Sequence, residues 1–418
     1  MTANPPMNTS TNASTNAATT TNTPMHVLVV THSERVWGAE RQLFELRPRL
    51  AEAGIRLTLA CRTDSELGRA WADTGSPTVS YEPAGALGLR KADGSRSGLA
   101  SIASQMRVTA SDARRIIGLI RSIGADIVES YTLNANVEVV LAGRMSRTPT
   151  VLDVHDIVVP GFGRRVLGLA AAGATATIAN SRATASTMGR GRIEVVYPGV
   201  DICRFAPGPV DPAIRSRLAA RPDRPIVGIL GRIDPEKGID IVARAVAQLR
   251  PPFDDTQFVV VGASLMAGHD FDVQLRAEVA DLLGDRARFV EPTNDVPGVM
   301  RSLDVLVNAS RAEPFGLTVL EAQACGVPVV ASAAGGIPEF VETDVNGLLF
   351  PPGNGAALGA ALGRMLAEDS LRGRLSAEGV TTARAKSMDR QAALVADVYR
   401  TATTPRTRTR PLASPSPK

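Results

Sequence analysis

The chain has 418 residues, enough for two domains with full-sized cores, and its 44% hydrophobic, 21% charged and 4% aromatic residues are those of an ordinary globular chain. Three widely spaced cysteines, Cys61, Cys203 and Cys325, with no C-x-x-C pair, argue against a disulfide framework and a cysteine zinc site and fit a reducing cytoplasm. The formal net charge of +4 equals the four cations of the end segment 401–418, Arg406, Arg408, Arg410 and Lys418, so the rest is balanced and nucleic acid is not an expected partner.

Residues 1–24 carry no charge and are rich in Thr, Asn and Ala, which predicts a disordered tail without the basic and apolar regions of a signal peptide. Translation could equally start at Met25. The first half then alternates strand-type runs with helical patterns. Strands are predicted at His26–Thr31, Arg56–Cys61, Asp126–Ser130, Thr150–Val154, Ala176–Asn180 and Glu194–Tyr197, with helices over Ala39–Ala53 and Asp112–Ile123. This is the rhythm of a parallel sheet wound on both faces, in which ligands bind past the carboxyl ends of strands. Gly38, in the loop VWGAE, either opens a helix or has a backbone role; G-x-G-x-x-G is absent, which argues against a nicotinamide enzyme. Glu82–Gly98 reads as a long mobile loop, an acceptor lid. His155 follows the strand TVLDV, and a lone histidine there is structural or catalytic.

The longest apolar run, Val166–Ile178, is broken by glycines and reads as a core helix, well short of the ~20 residues that span a bilayer. Residues 25–205 hold 22 Lys and Arg against 17 Asp and Glu, a balance of +5, whereas 206–400 come to −5. That split fits domain closure, a basic face on anionic lipid, or drift across a solvated surface. Proline-rich Pro207–Pro225 is the expected linker. The second half restarts with PIVGILGRIDPEKGID, where Gly231 leaves room for a ligand and Arg232 and Lys237 are cations able to neutralise a diphosphate.

The most informative stretch is NASRAEPFGLTVLEAQACG, Asn308–Gly326. A strand ends at Asn308 and a helix follows Pro314, so Glu313 lies on the loop and Glu321 two turns into the helix. The free N–H groups of Gly316, Leu317 and Thr318, next to Phe315, would form a positive helix end suited to a phosphate. Glu321 could accept two hydrogen bonds from a ribose diol, with Glu313 facing whatever hangs off the phosphate.

EPFGLTVLEA resembles the acidic signature of the retaining glycosyltransferases of family 4 (glycosyltransferase group 1), and the resemblance extends over nearly all of residues 25–400. It implies an α/β protein of two Rossmann-like, doubly wound parallel-sheet domains facing across a cleft, the GT-B arrangement. The acceptor domain would be 25–205, completed by a helix over 386–400, and the donor domain 206–385. GR-x-x-x-x-KG at Gly231, Arg232 and Lys237 matches the family, and His155 matches a histidine placed near the transferred sugar, with a hydrogen bond to a hydroxyl or charge stabilisation as its job. Where the family usually has paired glycines, only Gly38 remains beside Trp37, and Glu291 replaces a common glycine near the base. Asp270-Phe271-Asp272 spells the D-x-D of the other glycosyltransferase architecture, but it precedes an amphipathic run; Asp272 is read as an N-cap, Asp270 as solvent-facing, and no metal or cofactor is expected.

The implied reaction is metal-independent, retaining hexosyl transfer from a UDP-sugar or GDP-mannose to an acceptor hydroxyl on a lipid-linked saccharide or small molecule. The expected setting is envelope polysaccharide, glycolipid or small-metabolite synthesis in the cytoplasm, with peripheral contact at the inner membrane face. No side chain offers itself as nucleophile; the leaving diphosphate would serve as base, with Arg232, Lys237 and the helix start at Gly316 supplying the electrostatics. A sugar-nucleotide epimerase would turn over donor without acceptor, and a non-catalytic nucleotide-binding relative would turn over nothing. Base, sugar, acceptor and oligomeric state are left open.

Overall fold

The structure, a computed structural model, describes residues 23–84, 99–189, 191–264 and 270–404. In the N-terminal half, continuous apolar runs form strands buried on both faces. The elements are β1 (Met25–Val30), α1 (Gly38–Glu52), β2 (Ile55–Cys61), α2 (Glu66–Asp73), β3 (Thr78–Ser80), α3 (Leu99–Ile123), β4 (Ile127–Ser130), α4 (Asn136–Ser146), β5 (Thr150–Val154), α5 (Phe162–Gly173), β6 (Ala176–Ala179), α6 (Arg182–Met188) and β7 (Ile193–Val195). The second half contributes α7 (Pro212–Leu218), β8 (Ile226–Leu230), α8 (Ile239–Ala247), β9 (Gln257–Val261), α9 (Asp270–Leu283), β10 (Ala287–Val290), α10 (Val296–Arg301), β11 (Val305–Asn308), α11 (Leu317–Ala324), β12 (Val329–Ser332), β13 (Leu348–Phe350), α12 (Gly355–Ala367), α13 (Asp369–Ala385) and α14 (Met388–Thr403).

Two parallel sheets result, in the orders β3-β2-β1-β4-β5-β6-β7 and β10-β9-β8-β11-β12-β13. In each, the order reverses beside the first strand, β1 against β4 and β8 against β11. The helices leaving those neighbours diverge, opening a crevice at the carboxyl ends. The glycosyltransferase-type double α/β architecture expected from the sequence is therefore present. Each sheet is sandwiched between two apolar layers.

Several local expectations need correction. Val166–Ile178 is not one helix: α5 ends at Gly173 and β6 begins at Ala176, because Gly173 and the β-branched Thr175 and Thr177 favour a turn into a strand. Asp272 is no N-cap; α9 already includes Asp270, and Asp272 bonds Arg276 one turn on at 3.1 Å. The proline-rich linker contains α7, started by Asp211, which accepts from Ala213 N at 2.8 Å, with Pro212 in the first turn. The proposed lid over Glu82–Gly98 falls mostly outside the described residues.

The chain's last helix returns to the first domain. Met388, Ala392, Val395 and Tyr399 of α14 pack with Leu43, Leu46 and Leu50 of α1. Its anchor is polar: Tyr399 Oη donates to Oε2 of Glu129 at 2.8 Å, and both residues are about 1% exposed. Burial and the nearby Asp153 carboxyl hold Glu129 well above the usual carboxylate range. Tyr399→Phe strips that buried group of its donor and is expected to lower stability by about 1–3 kcal/mol, read as an earlier urea midpoint with unchanged m-value.

Candidate active site

The site collects at the switch point of the second sheet. The turn after β8 carries Lys237 and Gly238, and Gly238 adopts φ 64° against the end of β11. A Cβ there would lie 2.3 Å from the carbonyl oxygen of Ala309, so only glycine lets this turn sit on that loop. The approach brings Lys237 Nζ to 2.9 Å from Glu313 Oε2, across 76 positions of sequence. Ser310 Oγ at 2.9 Å and Asn308 Nδ2 at 3.4 Å donate to the same oxygen. Oε1 has no partner among the described residues.

Glu313 is 8% exposed. Burial alone would raise its carboxyl, but the Lys237 ammonium and the hydrogen bonds from Lys237, Ser310 and Asn308 outweigh it, and the pKa falls below the ordinary value. The loop is fixed from behind as well. Gly336 N donates to the Glu313 carbonyl at 3.0 Å, and a Cβ on Gly335 would meet that oxygen at 1.8 Å.

Past Glu313, Gly316 opens α11 in the left-handed region, φ 99°. The first helical bond runs from Val319 N to the Gly316 carbonyl at 2.9 Å, so the N–H groups of Gly316, Leu317 and Thr318 precede the ladder. The Phe315 ring is 3% exposed and stacks on Phe340 with centroids 4.7 Å apart; its side chain belongs to the core, and only its backbone can meet a ligand. Gly231 directly follows β8 with φ 142°, open space where a Cβ would be, and its N–H given to Val261 O at 3.0 Å. Arg232 stands beside it, half exposed, 3.3 Å from Asp234.

Glu321 is half-buried on α11 and faces the first domain. Burial, then the Glu45 carboxylate, push its carboxyl up to about 8 against the pull of Arg41 and Arg204. Arg204 spans the cleft, donating to Glu45 Oε1 at 3.1 Å and to the Asn294 carbonyl at 3.3 Å. Beside these groups lies a cavity of about 380 Å³ walled by Val36, Arg41, Phe44, Glu45, Thr293 and Asn294. Gly38 begins α1 on the same side with open space at its Cβ position, while Glu40 Oε2 accepts from Trp37 N at 3.1 Å.

His155 follows β5, with Nε2 buried 3.4 Å from Asp153 Oδ1 and its ring 4.6 Å from that of Tyr131. That leaves Nδ1 as the nitrogen a ligand can meet. Sequence reasoning missed four residues, His32, Tyr81 and Glu138 on this side and Glu339 on the other. His32, directly after β1, donates from Nε2 to Glu138 Oε1 at 2.6 Å, Tyr81 Oη donates to the same oxygen at 2.5 Å, and His32 Nδ1 is buried without a partner. A histidine following the first strand was the available signal. Glu339 gave none: its carboxylate accepts from Arg182 N (2.9 Å), Ala183 N (2.8 Å) and Tyr197 Oη (2.9 Å), joining the two domains. Among the described residues no three of His, Cys, Asp or Glu converge as metal ligands.

The family model for Glycosyltransferase Family 4 matches residues 36–204, and the model for Glycosyl transferases group 1 matches residues 210–381. The D-inositol 3-phosphate glycosyltransferase of Salinispora tropica is 40% identical over 221 residues, 50% of this chain and 46% of the relative. That of Mycobacterium marinum is 38% identical over 200 residues, 46% of this chain and 42% of the relative. Each alignment thus spans about half the length of the curated relative. Among solved structures, Anabaena Alr3699/HepE in complex with UDP and glucose superimposes with a TM-score of 0.73 at 24% identity, over 89% of this chain and 98% of that one. Sucrose-phosphate synthase from Thermosynechococcus elongatus gives 0.71 at 21% identity, over 90% and 98%. These two likenesses concern the fold. With one family model laid along each sheet domain and the EPFGLTVLEA loop at the switch point of the second, the chain belongs to glycosyltransferase family 4 (glycosyltransferase group 1), with the GT-B fold.

Proposed function

We propose that the protein transfers a glycosyl group from a nucleoside-diphosphate sugar to an acceptor hydroxyl with retention of configuration. The observation that carries this reading is Glu313: one carboxylate oxygen saturated by Lys237, Ser310 and Asn308, the other free, on a loop that ends at the start of a helix. A rigid acceptor of that kind suits sugar hydroxyls, and the helix start beside it suits a phosphate. Lys237, held against Glu313, would bridge it to the diphosphate, with Arg232 on the other side. Glu321 would hold the ribose, and the cavity at Thr293 and Asn294 the base, closed from the first domain by Gly38 and α1.

In the transfer, the bond from the anomeric carbon to the diphosphate oxygen breaks, the acceptor oxygen bonds to that carbon, and its proton passes to the leaving diphosphate. Positive charge at the anomeric carbon would be met by His155, and negative charge on the diphosphate by Lys237, Arg232 and the N–H groups of Gly316, Leu317 and Thr318. The acceptor would lie over the first sheet, past the carboxyl ends of its strands. Support for a small phosphorylated polyol comes from the relatives named D-inositol 3-phosphate glycosyltransferase, and support for UDP from the Anabaena complexes. No metal takes part in this reading.

The first test is thermal unfolding with UDP-, GDP-, ADP- and TDP-sugars, followed by transfer to D-inositol 3-phosphate. One base alone should raise the midpoint. With that donor, Glu313→Ala and Lys237→Ala are expected to cut kcat by about 100-fold or more, while the nucleotide-induced shift persists in Glu313→Ala; near-normal turnover of Glu313→Ala would sink the role given to it. Turnover should continue in EDTA, and its loss with recovery on adding a divalent cation would refute metal independence.

Glu321 supplies a pH signature. An ionised carboxylate is the form that accepts both diol hydroxyls, and its pKa in the free protein is raised to about 8. Donor binding must then favour loss of that proton, so affinity should rise with pH up to about 8 and level off above it. Titration calorimetry with the nucleotide sugar should show this slope, and Glu321→Gln should bind more weakly with the slope gone.

A further inference from the structure

Helix α5 has apolar side chains on two faces, and only one face is covered. Leu167, Ala170 and Ala171 are buried in the N-terminal core. Phe162 and Leu169 are seven positions apart, hence on one stripe of the helix with Arg165 between them, and Leu169 lies about 200° around the axis from Leu167. Phe162 is 73% exposed, Leu169 74%, and Val159 in the preceding loop 72%. They are the three most exposed large apolar side chains among the described residues, gathered within eleven positions. Single exposed leucines need no explanation, but such a cluster does.

Between Asp156 and Glu194 the charged side chains of the sequence are all arginines, Arg164, Arg165, Arg182, Arg190 and Arg192, although Glu339 of the second domain accepts from Arg182 N. Arg164 is occupied in tying α5 to the Thr187 carbonyl at 2.9 Å, and Arg192 pairs with Glu194 at 3.0 Å. Arg165 and Arg182 are exposed. No helix among the described residues is long and apolar enough to cross a membrane.

We propose that Val159, Phe162 and Leu169, with Arg165 and Arg182, dock the protein on an anionic lipid bilayer, α5 lying in the interface plane. Apolar side chains enter the headgroup boundary while arginines meet lipid phosphates, the two contributions that hold interfacial helices. A second copy of this chain fits less well, because a two-fold contact would lay the arginine-only stretch against itself. Val159 is four positions from His155, so a bilayer seated there would border the rim of the cleft. The proposal stands independently of the reaction assigned to that cleft.

Flotation of the full chain with phosphatidylcholine vesicles, with and without ~30% phosphatidylglycerol, tests it. Binding is expected only with the anionic lipid, weakening with added salt. The double variant Phe162→Asp, Leu169→Asp should lower the bound fraction at least about tenfold with an unchanged thermal midpoint. If the double variant fails to fold, Leu169→Gln should give a smaller loss in the same direction. A chain ending at Thr404, lacking the four cations beyond it, should still bind. The proposal is overturned by no binding to anionic vesicles, by equal binding of the variants, or by binding that disappears with the end segment alone. Lipid-free light scattering showing a dimer that the substitutions disperse would overturn it equally, in favour of self-association.

Discussion

The ion pair between Lys237 and Glu313, at 2.9 Å, is the contact on which the site depends. A carboxylate this buried is ionised only because a cation and two neutral donors crowd one of its oxygens. Removing the cation would leave a buried charge held by two neutral donors alone, so the residues that place Lys237 matter as much as Lys237 itself. Gly238 lets its turn rest on the Ala309 carbonyl, and Gly335 lets another turn rest on the carbonyl of Glu313. Two backbone approaches that admit no side chain thus fix the loop from both sides. The free oxygen is pre-oriented before any ligand arrives, and preorganisation of this kind is where electrostatic catalysis draws its advantage.

The second constraint is the distance between the domains. Glu339 ties the second domain to Arg182, Ala183 and Tyr197 of the first, and Arg204 ties Glu45 to the loop holding Asn294. Helix α14 crosses back to pack on α1, with the Val200 and Ser387 backbones bridged where the chain passes between domains. These links set the facing of Glu321 against Glu45, and that facing, together with burial, raises the Glu321 carboxyl. A residue that looks like an ordinary helix glutamate becomes a proton-linked one because the other domain presents it with a like charge.

Helix α5 illustrates how one element can answer to two environments. Its inner face obeys the packing of the first domain, whereas its outer face carries apolar groups that the fold leaves uncovered, with Arg165 on the same stripe. Stability of the domain explains the first face and not the second.

Much was legible in the sequence. Apolar runs and helical patterns are local properties, so the alternation of strands and helices and the parallel sheet of the first half followed from them, while the pairing of two such domains came with the resemblance carried by EPFGLTVLEA. The loop placing Glu313 before a helix start and Glu321 within it was equally local, since a strand end, Pro314 and Gly316 punctuate it. What erred locally did so where two weak preferences compete: glycine-rich Val166–Ile178 divides into helix and strand, and Asp272 is inside a helix instead of capping it. Tertiary structure alone decided the rest, because it depends on which distant groups share a space too small for water. It placed Lys237 on Glu313, turned the Phe315 ring into the core, paired His32 with Glu138, and made Glu339 a link between domains. Periodicity tells which face of an element is buried; only the packed fold tells against what.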